Sequence, residues 1–434
     1  MNYDILGELN TEQKRAVQHT EGPLLIIAGP GSGKTKTLVA KVLYLIVHKK
    51  LDPKHIMIST FTEKAASELI TRVSDGLISA DFKKVNINDM YIGTLHSIFL
   101  KILKENSEFT RLKKSYRMLD EFEQQYFVYK KINKYLKIPG VIELIDSDRI
   151  SRWNMSEVII KWVNKVKEEM LSPELLMKDK DVRISAIGNC CKFYNELLTE
   201  ENAIDFASIQ TETYQLLRDN AKVLKKIQSE IKYIMVDEYQ DTNTVQELIL
   251  LKMASANNNI CVVGDDDQGL YRFRGATIRN ILEFRDNFKK DICAQINLVT
   301  NYRSHPQIIK FYSEWMKLQP KGWGEGNVKF RFDKEITAPK NERFLSYESV
   351  IKVSGKIDEN NWSDEVINFI KKVQKNNSFT DLNQMAFLFR SVKNENVQKL
   401  ADLLEKNNIP VYSPRSDMFF ERIEIKLLIG AFIF

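Results

Sequence analysis

Residues 28–35 read AGPGSGKT, a run whose residue types and spacing suit the grip of a nucleotide's phosphates. Gly29, Gly31 and Gly33 let the backbone curl until its N–H groups converge on phosphate oxygens. Pro30 has no N–H and stiffens the curl, Ala28 stands where the run usually opens with glycine, and Ser32 and Lys36 complete the contact set. Lys34 is placed to reach the β- and γ-phosphates, and the Thr35 hydroxyl to hold Mg2+. A helix that starts here adds its positive end. The bland alternative is a glycine turn before a helix; the complete GKT between an apolar strand and a periodic helix argues against it.

Residues 233–241, YIMVDEYQD, supply acid chemistry. An apolar strand that ends in Asp-Glu offers Asp237 to hold Mg2+ through water, and Glu238 as general base or positioner of an attacking water. That combination points to hydrolysis of ATP rather than transfer to a substrate hydroxyl. Alone, a DE pair is also compatible with a solvated acidic helix start.

The elements that must position these groups follow from hydrophobic periodicity. The patterns predict a strand over 24–28 with a helix through 47, a strand over 55–60 with a helix over 63–73, and a strand over 90–93 with a helix from 95. Further strands are predicted at 233–236, 260–263, 295–299 and 385–389, and a helix at 394–406. This alternation argues for an α/β fold with a parallel sheet. Residues 105–204 are charged and helical in pattern, with an amphipathic helix over 153–170 and a Ser172-Pro173 helix start, and read as a helical insertion. Residues 317–345 hold many of the Gly and Pro residues and predict loops.

Length suits more than one domain, since 434 residues with 43% hydrophobic and 28% charged can bury ordinary cores. The net charge of +6 permits a nucleic-acid partner without demanding one. Cys190, Cys191, Cys261 and Cys293 form no C-x-x-C pair and predict reduced core thiols. The start lacks a signal-peptide pattern and no apolar run reaches membrane-spanning length, so a cytoplasmic chain with no membrane partner is expected.

Taken together, the motifs resemble those of the UvrD/Rep-type superfamily 1 DNA helicases, in the same order. LNTEQKRAV (9–17) resembles the adenine-reading Q motif, AGPGSGKT motif I, STFTEKAASEL (59–69) motif Ia and IGTLHSIFLKIL (92–103) motif Ib. VDEYQDTN (236–243) resembles motif II, VVGDDDQGLYRFRGA (262–276) motif III and NYRSHPQII (301–309) motif IV. PRSDMFFERIEIKLL (414–428) resembles the segment before the family's second insertion. The resemblance implies a P-loop RecA-like parallel-sheet lobe over 1–104 and 205–280, split by an insertion at 105–204. The first part of a second RecA-like lobe would occupy 281–434. Two further family motifs are not found after residue 309, so the second lobe is expected to be incomplete.

The resemblance also implies roles. Gln13 reads the adenine edge and Tyr302 stacks on the base; Gln268 senses the γ-phosphate; Arg303 is an arginine finger, with a structural ion pair as its alternative. DNA contacts are implied for Thr60, Phe61, Lys64, Thr94, His96, Phe206, Tyr271, Phe273 and Arg274. Rings beside cations suit single strands, where bases stack and phosphates follow positive charge; for Phe61 and Phe206 core packing stays open, and His96 is as apt to cap or pack. The chain departs from the family at Phe273, where Trp is usual, at Glu63, where Asn is usual, and at Ala207-Ser208, where the pattern has acids. The implied function is an ATP- and Mg2+-dependent translocase and helicase on single-stranded DNA or a single–double-strand junction, moving 3′ to 5′. The alternative is an ATP- and DNA-binding switch or subunit that does not unwind and needs a partner chain to complete its second lobe.

Overall fold

The structure is a computed structural model; it describes residues 4–82, 84–145, 150–272, 275–318, 331–339, 349–351, 362–375, 381–392, 394–412 and 423–433. The chain forms two compact units, Met1–Ser349 and Val350–Phe434.

In the first unit, Asn10 caps α1 (Thr11–Gln18) in a reciprocal box with Gln13. Then follow β1 (Leu24–Ala28), α2 (Lys34–Val47), β2 (Ile56–Thr60), α3 (Glu63–Ser79), β3 (Tyr91–Thr94) and α4 (Leu95–Glu105). Lys41 of α2 is buried and donates to the carbonyls of Ala16 and His19, which fastens α1 to α2. The insertion opens with β4 (Arg117–Leu119) and runs through α5 (Glu121–Tyr129), α6 (Ile132–Tyr135), α7 (Val141–Ile145), α8 (Arg152–Glu168), α9 (Pro173–Leu176) and α10 (Val182–Glu200) to β5 (Ala203–Asp205). β5 pairs in parallel with β4, so two short strands that the charged, helical pattern hid clamp the insertion at its base. Next come α11 (Phe206–Asp219), α12 (Ala221–Glu230), β6 (Tyr233–Val236), α13 (Thr244–Ala254), β7 (Ile260–Gly264), α14 (Arg279–Leu282), β8 (Ala294–Leu298) and α15 (Pro306–Lys317).

The main sheet is parallel, in the order β3-β2-β6-β7-β1-β8. Successive strand residues point to opposite faces. Leu24 and Ile26 of β1 join Ile56, Ile58, Met235 and Val263 in a core under α2 and α3. Leu25 and Ile27 join Met57, Val236 and Val262 in a second core under α4, α11 and α13. Both faces are covered, which explains why these strands are apolar runs rather than alternating ones. All four cysteines are buried and free.

β8 hydrogen-bonds along β1, Leu24 opposite Ala294 through Ala28 opposite Leu298, and adds a sixth strand to this sheet. Edge pairing depends on a partner far off in sequence, and motif order does not carry it. Residues 385–389 form no strand: they are irregular, and Leu388 is 94% exposed. Their β-prone composition has no neighbouring strand among the described residues, and a strand needs one.

Among the described residues the second unit holds α16 (Trp362–Lys375), α17 (Glu395–Lys406) and α18 (Ile423–Ile433), with Ile367, Ile370, Leu400 and Leu404 packing α16 on α17. Of the loops predicted over 317–345, residues 319–330 and 340–345 lie outside the described residues, as do residues 414–422 of the pre-insertion segment. No helix among those described is long and apolar enough to cross a membrane.

The junction of β5 and α11 yields a test. Asp205 is fully buried, caps α11 by accepting from Ser208 N–H at 2.7 Å, and lies 3.7 Å from the Lys167 ammonium. Burial opposes its charge, but Lys167, the Tyr194 hydroxyl and Ser208 outweigh that and hold the carboxyl below its ordinary value. Asp205→Ala leaves Lys167 without its counter-charge and is expected to cost about 3–5 kcal/mol in urea unfolding at neutral pH. The loss should be full above the unfolded aspartate value of about 3.9 and shrink as pH falls through the lower folded one.

Candidate functional site

Parallel strands aim their carboxyl ends at one edge, and ligands bind there. Most candidate residues follow such ends: Lys34 and Thr35 after β1, Asp237 and Glu238 after β6, Gln268 and Tyr271 after β7, Tyr302 and Arg303 after β8, Phe61 and Lys64 after β2, and His96 after β3, while Gln13 lies on α1 and Phe206 follows β5 of the two-stranded sheet. The phosphate-grip residues form one group and the aromatic residues with their neighbours a second, ring-lined one.

On the first side, Ala28 ends β1 and the loop turns into α2 through Gly31 and Gly33, at φ 67° and 84°. L-residues with a Cβ resist those angles. Gly33 caps α2 with no side chain over it, so the helix's first N–H groups stay open to an anion. Ser32 Oγ donates to Gly29 O at 2.7 Å, and Pro30 lies at the partly exposed crest. Lys36 turns away to Glu8, 3.0 Å from its carboxylate.

Long-range contacts hold the loop. Gln13 is buried; its Nε2 donates to Ser32 O at 2.9 Å while its Oε1 accepts from Asn10 N–H at 3.0 Å. Tyr302 N–H donates to Gly31 O at 2.9 Å, and its hydroxyl accepts from Asn10 Nδ2 at 2.9 Å. Arg303 is exposed, with its N–H on Asn301 Oδ1 at 2.8 Å. A side chain on Gly31, already at positive φ, would collide with Asn301 and Arg303, while one on Gly29 would meet the terminal methyl of Ile336.

The acidic strand end stands opposite. Lys34 Nζ lies 3.0 Å from Glu238 Oε2, and Thr35 Oγ1 lies 3.4 Å from Asp237 Oδ2. Glu238 is held at φ 51°, a left-handed conformation that costs a non-glycine residue about 1–3 kcal/mol and tends to occur at functional sites. Gln240, which the sequence reading passed over, ties this turn to the next strand. Its Nε2 donates to Glu238 Oε2 at 2.8 Å and its Oε1 accepts from Asp265 N–H at 3.0 Å. Asp265 in turn accepts from Gln268 Nε2 at 2.6 Å.

The chemistry of the donors fits Mg2+, which takes one or two carboxylates and otherwise water and phosphate oxygens. Burial first and the Glu238 charge second push Asp237 up to about 6, against Lys34, the Glu238 N–H and Thr35. A buried carboxylate so disfavoured gains from a cation. Among the described residues no group of three or more His, Cys, Asp or Glu side chains forms a separate metal site.

On the ring-lined side, Thr60 is buried at the end of β2, and Phe61 lies against Tyr271, with ring centroids 4.7 Å apart. Lys64 is exposed on the first turn of α3. Thr94 caps α4 and donates to Glu63 Oε1 at 2.8 Å, which occupies the acid that departs from the family pattern. Phe206 is 46% exposed, edge-on to His96 at 5.6 Å, so core packing does not account for it. Burial brings His96 down to about 4 and leaves its imidazole neutral, unlike a phosphate-binding cation. Phe273 and Arg274 lie outside the described residues.

An Asp237 carboxyl that held Mg2+ would have to be deprotonated, so a Mg2+-dependent ATP affinity resting on it is expected to fall about tenfold per pH unit below about 6. Calorimetric titration across that range checks it. Asp237→Asn should abolish the slope and weaken Mg2+ dependence, whereas Asp241→Asn should leave the slope in place.

The comparisons with known proteins agree with this geometry. Residues 9–289 match the UvrD/REP helicase N-terminal domain, and residues 296–433 the UvrD-like helicase C-terminal domain. The ATP-dependent DNA helicase PcrA of Staphylococcus epidermidis is 31% identical over 432 residues, 98% of this chain and 53% of its own length. PcrA of Staphylococcus aureus is 31% identical over 431 residues with the same coverage. The chain therefore spans about half the length of the curated relatives it matches. With the N-terminal family model matched over residues 9–289, more than half of the chain, and the C-terminal one over 296–433, the chain belongs to the UvrD/Rep helicase family.

Proposed function

We propose that this chain is an ATP-hydrolysing motor on single-stranded DNA, with 3′-to-5′ travel carried over from its family. The observation that supports it best is the sheet order, which puts the DEYQD turn after β6 between the end of β2, where Phe61 lies, and the loop after β1 that would grip phosphate. In this reading the loop N–H groups and Lys34 bind the β- and γ-phosphates, while Thr35 and Asp237 hold Mg2+. The metal neutralises charge that develops on the phosphoryl oxygens. Glu238 orients the attacking water and takes its proton, Gln268 senses the γ-phosphate, and Arg303 meets the growing negative charge. Gln13 and Tyr302, already fixed on the loop, recognise the base. Phe61, Tyr271 and Phe206 stack DNA bases while Lys64 and the other cations follow the phosphates.

Phosphate release by the purified chain, with and without an oligothymidine, together with unwinding of duplexes tailed at one end or the other, tests the reading. Lys34→Ala should abolish turnover. Glu238→Gln should keep ATP affinity and slow hydrolysis by about two to four orders of magnitude. Wild-type turnover by Glu238→Gln would remove the general-base assignment. Phe206→Ala should weaken oligothymidine binding by about 1–3 kcal/mol, measured by fluorescence anisotropy, and binding should fall steeply with salt. ATP and DNA binding with no unwinding of either tail would favour the non-unwinding switch or subunit instead.

A further inference from the structure

Gln210 sits one helical turn after Phe206 on α11 and is buried. Its Nε2 lies 2.8 Å from His96 Nε2, and its Oε1 accepts from Asn243 Nδ2 at 2.8 Å. An amide nitrogen only donates, so His96 Nε2 is the acceptor and the imidazole carries its proton on Nδ1. The neutral state that burial imposes on His96 permits this arrangement. On one side, then, the Gln210 amide grips the ring against which the exposed Phe206 rests.

On the other side it grips the end of the DEYQDTN turn. Asn243 caps α13 in a reciprocal box with Gln246, and its carbonyl accepts from Asn280 Nδ2 at 3.0 Å. Its neighbour Thr242 donates to Tyr239 O at 2.7 Å and accepts from Thr277 N–H at 2.9 Å. Tyr239 directly follows Glu238. A single side chain thus spans from the rings at the β3–β2 end of the sheet edge to the turn that carries the acid. Nothing about the steric needs of α11 calls for an amide at a buried position, where an apolar residue would pack without two hydrogen bonds to satisfy.

We infer that Gln210 is a positioning residue that couples occupancy of the Phe206–His96 ring pair to the geometry of the Glu238 turn, so that a bound strand speeds ATP hydrolysis. A base stacked on Phe206 bears on His96; His96 shifts Gln210; Gln210 moves Asn243 and with it the turn. The inference rests on the reading above, in which DNA lies over Phe206 and Glu238 serves hydrolysis.

Three variants test it: Gln210→Leu, which removes the side-chain hydrogen bonds to His96, Asn243 and the Phe206 carbonyl; Gln210→Asn, which keeps the chemistry but is too short to span; and Gln210→Glu, which still accepts from Asn243 and pairs with His96 once its proton moves to Nε2. Phosphate release is measured without DNA and at saturating oligothymidine, and oligothymidine affinity by anisotropy. For Leu and Asn, stimulated kcat should drop by about fivefold or more, while basal rate, KM for ATP and oligothymidine affinity stay within about twofold. The Glu variant should keep its stimulation. Should Gln210→Leu fail to fold, Gln210→Asn carries the comparison. Wild-type stimulation in both Leu and Asn variants overturns the inference. So does a proportionate fall of basal and stimulated rates, which marks a merely structural amide. A wild-type chain that DNA does not stimulate defeats the functional reading itself, and this inference with it.

Discussion

A loop that grips phosphate must keep most of its N–H groups for the ligand, so few bonds remain to hold it from within; here Ser32 reaches Gly29 O through its N–H and its hydroxyl. In this chain the loop of residues 29–33 depends on outside support. Gln13 takes the Ser32 carbonyl from one side, and Tyr302 N–H takes the Gly31 carbonyl from the other. Gly29 N–H is bound by Leu298 O at the end of β8, and Ile336 closes over Gly29. Each support comes from a different stretch of sequence, and each must be in place for the curl to persist. The six-stranded sheet is the part that makes this work, since β1 lies between β7 and β8 and delivers the loop into the gap they define.

The same sheet explains how one edge can serve two partners. With the order β3-β2-β6-β7-β1-β8, the loop after β2 is separated from the loop after β1 by two strands and the loop after β3 by three. Adjacent strands lie about 4.8 Å apart, so the two groups are near enough to influence one another and too far apart to compete for one ligand. β6 lies between them, and its turn carries both the strained Glu238 and the Gln240 amide that reaches β7. The insertion fits this plan. Its two clamping strands end at Asp205, and the buried charge there starts α11 with Phe206 pointing outward.

How much of this was legible depended on whether a feature is local. The glycine loop, the Asp-Glu strand end and the main-sheet strands were readable because composition and spacing within a few residues determine them. Strand pairing was not: the Ala294–Leu298 run looks like any buried strand, and only its register against β1 assigns it to this sheet. The 385–389 segment failed for the complementary reason, since β-prone residues make a strand only beside a partner. The family resemblance singled out Gln13, but nothing in the sequence showed that its amide meets the Ser32 carbonyl. Gln240 had a signal inside the acidic motif and was overlooked; Lys334 and Gln210 have none, because their partners lie more than thirty residues away.

Lys334 also shows why three consecutive aspartates can stand together just after β7. Asp265, Asp266 and Asp267 would repel one another, and Asp265 has no exposure to solvent. Lys334 enters among them at 2.5, 2.5 and 3.1 Å, and Arg331 forms a fork on Asp267 at 2.7 and 3.0 Å. One ammonium does not balance three carboxylates. Burial lifts the Asp266 carboxyl above its ordinary value despite the lysine, while the aspartates outweigh burial and hold the lysine's own value up. Arg331 and the Phe332 N–H on Asp266 supply the remaining compensation. Such a cluster adds little net stability, because desolvation cancels most of the attraction. Its strength lies in geometry: every oxygen committed to Lys334 or Arg331 is fixed in direction, and the Asp265 oxygen left over is the one that accepts from Gln268. Residues 331–337, which also cover Gly29, thereby set the orientation of the glutamine at the end of β7 and close the phosphate loop with the same stretch of chain.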